Sequence, residues 1–160
     1  MKLHVLSDLH LRPSYEFSIP ATDADLIVLA GDIGRGLHGV RWAMAEAARL
    51  NKPVVYVFGN HEFYTCTFPD LVEEARRLTV GSLVHVLENE QLTWGDVRIL
   101  GCTLWTDFLL YGEELREECM ALAESVLYDY QVVQSADGEP LRARPPRSAT
   151  GNRGAGWKPA

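Results

Sequence analysis

The chain holds five histidines in 160 residues, and none follows His85. Its three cysteines, Cys66, Cys102 and Cys119, never fall in a C-x-x-C spacing. An odd, scattered set of this kind excludes a disulfide framework or a thiolate metal knuckle, and reads as reduced thiols. Long apolar runs are also missing. Stretches such as Leu26–Ala30 are far short of the roughly 18 residues a membrane span needs. The first residues enter a strand pattern at once and carry no signal-peptide pattern, so a cytoplasmic location with no membrane partner is expected. No internal repeat is found.

Positive charge is scarce in the body of the chain. The first 139 residues carry ten basic and 22 acidic side chains, a net −12, within a chain of net −7. All five remaining cations, Arg142, Arg144, Arg147, Arg153 and Lys158, fall after Pro140, where no acid occurs. An acidic body with no basic patch interleaved with aromatics disfavours a protein that grips long nucleic acid by its phosphates.

What is present is a strand–helix alternation. Leu3–Leu6, Asp25–Ala30 and Pro53–Phe58 read as strands, the last two nearly all apolar, as suits parallel strands buried on both faces. Gly39–Leu50 and Pro69–Leu78 read as amphipathic helices with Val40, Ala43, Ala47 and Leu50, then Leu71, Val72, Ala75 and Leu78, facing inward. Short strands are predicted at 83–87, 91–94 and 97–100, with Gly95-Asp96 as a hairpin turn. Glu113–Leu127 is predicted as a third helix with Leu115, Cys119, Leu122 and Val126 on its buried stripe. This pattern predicts an α/β fold with a largely parallel first sheet over residues 1–135. Residues 136–160 hold four Pro, four Gly and five basic residues with little periodicity. They read as a disordered tail. The tail's composition is what GC-rich codons give out of frame, so a shifted reading frame near Leu141–Pro145 is hypothesised.

Three strings carry the chemistry: Ser7-Asp8-Leu9-His10, Gly31-Asp32 and Gly59-Asn60-His61-Glu62. Each follows a strand-like run, and open parallel sheets place ligand sites beyond the carboxyl ends of their strands. Asp8 and His10, two apart on an extended turn, can reach one cation through oxygen and nitrogen. Asp32 offers two oxygens and could bridge two ions. Asn60 adds a neutral amide oxygen. Mixed oxygen and nitrogen donors suit Mn²⁺, Fe or Zn²⁺, and two such ions can clamp a phosphate ester. His61 suits protonation of a leaving alkoxide. Arg35 is a candidate phosphate contact, with a solvated charge as the alternative. His4 and His85 lie within strand patterns and read as structural, His38 as a loop residue, Trp105 as packing and Asp107 as a loop cap.

From residue 3 to about 130 these motifs closely resemble the calcineurin-like metallophosphoesterase superfamily, in its small bacterial type. The resemblance implies the N-terminal part of a four-layer α/β/β/α sandwich, incomplete at the C-terminus. It implies two divalent metal ions, with Asp8 and His10 on one, Asp32 bridging, Asn60 on the other and His61 catalytic. The activity implied is hydrolysis of a phosphate mono- or diester, with a small phosphoester as substrate. The family also supplies a later histidine and a Gly-His-x-His motif, neither of which occurs here. Metals left with few protein ligands bind weakly, so partial binding and weak or absent hydrolysis are expected. The alternative is a non-catalytic remnant that binds a metal or a partner, self-associating through an exposed sheet edge.

Overall fold

The computed structural model describes residues 1–14 and 17–143. Four strands, β1 (Leu3–Leu6), β2 (Leu26–Ala30), β3 (Val54–Val57) and β4 (Val84–Val86), form one sheet in the order β1-β2-β3-β4, all parallel. Helix α1 (His38–Leu50) links β2 to β3, and α2 (Asp70–Thr79) links β3 to β4. Consecutive parallel strands need such crossovers, and the crossovers need a face to bury.

Alternation along the strands sorts the core. Ile27, Leu29, Val54, Tyr56, Val84 and Val86 join Val40, Ala43 and Ala47 of α1 and Leu71, Val72 and Ala75 of α2 in the main core. Leu50 and Leu78 pack at its margin. Leu26 and Val55 point to the opposite face and pack with Leu87 against Leu92 and Ile99. Those two come from an antiparallel ribbon, β5 (Glu90–Trp94) and β6 (Val97–Gly101), closed by Gly95-Asp96. The helix layer, parallel sheet and second small sheet together make the expected mixed α/β fold.

Beyond β6 the structure departs from the expected pattern. The third helix, α3, runs Arg116–Val126 after a single 3₁₀ turn at Glu113–Leu115. Its predicted inward stripe is wrong: Leu115, Leu122 and Val126 are exposed, and Met120 and Ala123 are the buried residues. Among the described residues, α3 packs its Met120–Ala123 side on the small cluster of Tyr130, Ala143 and Phe108. A short helix, α4 (Asp129–Val132), follows directly. The segment read as structureless from residue 136 folds back up to residue 143. Ser135 and Glu139 close a tight turn, and the Leu141 amide donates to the Val133 carbonyl at 2.8 Å. The rest of the predicted tail, 144–160, lies outside the described residues. No helix among the described residues is long and apolar enough to cross a membrane. Cys66, Cys102 and Cys119 are free thiols, and burial raises the pKa of Cys66.

Candidate metal centre and its supports

The loops after β1, β2 and β3 meet at the carboxyl end of the sheet. The β1 loop is laced to the β2 loop by backbone bonds. Asp8 N–H donates to the Gly31 carbonyl (3.1 Å), His10 to Asp32 (2.9 Å) and Leu11 to Ile33 (2.8 Å). Three of the candidate ligands sit in the left-handed backbone region, which non-glycine residues rarely adopt: Asp8 (φ 54°), His10 (φ 46°) and Asp32 (φ 56°). Such conformations cost free energy and persist where the surroundings over-determine them, most often at functional sites.

The two glycines of the motifs are there for space. A Cβ on Gly59 would fall 2.1 Å from Asp32 Oδ1, and one on Gly31 would fall 3.0 Å from the Gly59 backbone. Only bare backbone lets the second and third loops approach this closely. The approach allows the His61 backbone N–H to donate to Asp32 Oδ1 at 3.0 Å.

Donor atoms of His10, Asp32 and His61 consequently lie within 4.8 Å of one another. The His10 and His61 rings are 4.6 Å apart between centroids. Two imidazoles and a carboxylate make a donor set that fits a first-row divalent ion. Asp8 and Asn60 line the same cavity, about 760 Å³, beside Asp32. The five residues singled out for metal binding and catalysis are therefore brought together. Arg35 is exposed and sits over the Tyr64 ring, 5.4 Å from its centroid. Tyr64 in turn stacks on His61 at 4.4 Å.

The family profile of the calcineurin-like phosphoesterases matches residues 1–141. The chain belongs to that family. Over 68 residues it is 32% identical to the acyl-carrier-protein phosphodiesterase PptH of Mycobacterium tuberculosis, an alignment covering 39% of this chain and 21% of that protein. The crystal structure of phosphopantetheinyl hydrolase PptH from the same organism superposes with a TM-score of 0.58 at 23% identity, over 83% of this chain and 55% of that one. At that identity the likeness is one of fold. The chain spans about half the length of this solved relative and about a fifth of the curated one.

In this calcineurin-like chain one residue missed in the sequence ties the second and third loops of the candidate site together. Glu62 is fully buried. Its Oε1 accepts from Ile33 N–H (2.7 Å), Gly34 N–H (3.2 Å) and the Tyr56 hydroxyl (3.0 Å). Its Oε2 accepts from Asp32 N–H (3.0 Å) and Gly59 N–H (2.8 Å). A buried carboxylate is tolerable when it is saturated with donors, and Glu62 is. Burial and the neighbouring Glu62 push the Tyr56 hydroxyl well above the usual tyrosine range, so it stays a donor. The one local hint was an acid inside the His61–Phe63 turn, next to the apolar Phe63.

The remaining singled-out residues fall elsewhere. His85 is in β4 and half-buried, and His4 is in β1, with Nδ1 3.5 Å from the Thr22 hydroxyl. His38 opens α1. Asp107 caps the Leu109 N–H at 3.0 Å, as a loop cap should. Trp105 lines the cavity beside Asp8, Asp32 and Asn60 rather than a core.

Proposed function

We propose that this chain is a metal-dependent phosphoesterase acting on a small phosphate mono- or diester. The observation that carries the reading is the convergence of His10, Asp32 and His61 at the carboxyl end of a parallel sheet, on loops held in strained backbone. Family membership supports it. Asp8, His10 and Asp32 would hold one divalent ion, and Asp32 with Asn60 a second. Mn²⁺, Fe or Zn²⁺ suits these donors. When bound, such ions acidify water and neutralise phosphoryl charge.

The chain's own groups then divide the work. Asp8, His10, Asp32 and Asn60 bind and fix position. His61 holds a proton for the leaving oxygen, and its ring is oriented by stacking on Tyr64. Arg35, capping Tyr64 from the solvent side, attracts the phosphate. The relatives named PptH suggest a phosphodiester as the substrate class to try first. The proximity of the His61 ring to Asp32 and His10 favours a second reading, in which His61 is a ligand and a single ion is held.

Hydrolysis of bis-p-nitrophenyl phosphate with Mn²⁺ tests the proposal. Because no histidine follows His85 to complete the ligand set, weak turnover is expected, lost in both Asp32→Ala and His61→Ala. Turnover that survives Asp32→Ala contradicts it. Uptake of Mn²⁺ that His61→Ala abolishes, rather than merely the turnover, selects the single-ion reading.

A further inference from the structure

The geometry points to Asp129 as the positioning residue that fixes the Asn60 amide for metal binding, an interaction 69 residues distant in sequence. Asn60 Nδ2 lies 2.5 Å from Asp129 Oδ1 and 3.3 Å from the Tyr64 hydroxyl. A carboxylate only accepts hydrogen bonds, so the atom facing Asp129 must be the amide nitrogen. Both amide hydrogens are thereby used, one on Asp129 and one on Tyr64. The amide oxygen has no hydrogen-bond donor among the described residues. It is left free on a residue that lines the cavity together with Asp8, Asp32 and Asp129.

An unrestrained asparagine could present either end of its amide, since the two differ little in shape. Only the oxygen can bind a cation. A carboxylate on the nitrogen selects the productive orientation and draws electron density toward the oxygen, as outer groups do for metal ligands in general. This role suits Asp129 better than direct ligation. Its carboxylate does not join the three-residue donor cluster of His10, Asp32 and His61.

The position of Asp129 is itself secured. The chain leaves α3 at Leu127, and Tyr128 packs edge-on against Tyr64, ring centroids 5.7 Å apart. Residues 132–134 then run beside 65–68. Thr65 N–H donates to Val132 (3.1 Å), Gln134 N–H to Cys66 (3.2 Å) and Phe68 N–H to Gln134 (2.8 Å). Burial first, and the Asp129 and Asp32 charges next, keep the Tyr64 hydroxyl protonated by raising its pKa.

The metal half of this inference rests on the function proposed above; the amide orientation does not. Two readouts keep them apart. The first is the Asn60 side-chain NH₂ signal in ¹⁵N NMR, assigned by its loss in Asn60→Asp. The second is the Mn²⁺ dissociation constant by calorimetry. In the unsubstituted chain the NH₂ pair is expected to be resolved and slow to exchange with water. Asp129→Leu should abolish that protection and weaken Mn²⁺ binding about ten- to a hundredfold. Asp129→Asn keeps an acceptor oxygen and should restore most of both. Asp129→Ser replaces the Leu variant if the latter does not fold. An Asn60 amide signal unchanged in Asp129→Leu overturns the inference, and so does a freed amide with unchanged Mn²⁺ affinity. Failure of the unsubstituted chain to bind Mn²⁺ overturns the proposed function, and the amide signal still decides the orientation.

Discussion

The two faces of the parallel sheet are built to different standards. On the helix side, Ile27, Leu29, Val54 and Tyr56 are shut in by α1, α2 and a run of aromatic rings from Tyr56 through Phe58 and Phe63 to Phe68. On the other side, Leu26, Val55 and Leu87 share a single two-stranded ribbon, and Leu3 and Val5 of the edge strand are about half exposed. Leu104 and Leu110 beyond the ribbon are 88% and 85% exposed. The loops of the candidate metal site sit at the boundary and borrow from both. Their rigidity comes from the helix side, through Glu62 and the rings beneath it. Their open cavity lies on the thinly covered side, among Leu100, Leu104 and Trp105.

The contrast breaks if the two faces prove equally costly to disturb. Phe63→Ala, on the closed face, should cost about 3–5 kcal/mol in urea unfolding. Leu100→Ala, half exposed on the open face, should cost under about 0.5 kcal/mol. Similar losses at both sites would show that the open face is buried in solution. Glu62→Gln comes next. It loses acceptor capacity against four backbone N–H groups and the Tyr56 hydroxyl, so unfolding free energy should fall by about 2–3 kcal/mol.

A smaller effect is expected with pH. The Arg49 guanidinium bonds Glu46 at 2.6 and 3.0 Å and, with the Ile19 amide, holds the Glu46 carboxyl below its ordinary value of 4.5 against the opposing effect of burial. A depressed folded-state pKa stabilises above the unfolded value and is lost as pH falls through the folded one. Stability should therefore decline below about pH 4.5 more steeply in the unsubstituted chain than in Glu46→Gln, as thermal melts from pH 3 to 6 would read. The smallest expected change in stability is Val5→Thr, within about 0.5 kcal/mol. Its value lies in light scattering. If β1 is a sticky free edge, this variant and Leu3→Lys lower self-association, whereas unchanged scattering would place the sticky surface elsewhere.

The same contrast explains what could be read from the sequence. On the closed face, period and burial agree, so β2, β3, α1 and α2 were legible from Leu26–Ala30, Val54–Val57 and the Val40–Ala47 and Leu71–Ala75 stripes. The three motif strings were legible because each follows a strand, two of them, β2 and β3, buried. Helix α3 was legible but its inward face was not, since its sequence offers two plausible stripes. Only the late packing of Tyr130 and Ala143 selects Met120 and Ala123 over Leu122 and Val126. Asp129 was invisible for a related reason: nothing local in Tyr128-Asp129-Tyr130 marks a contact with Asn60. Glu62 lay inside a motif yet went unread, because its role is set by five donors scattered over residues 32–59.

The central claim, that the three strand-end motifs assemble a working divalent-metal site, is tested most directly by Mn²⁺ calorimetry on metal-stripped chain, with Asp32→Ala as control. The account predicts saturable uptake of at least one ion per chain in the unsubstituted protein, abolished by Asp32→Ala. Absence of saturable binding, or uptake that Asp32→Ala leaves intact, would contradict it.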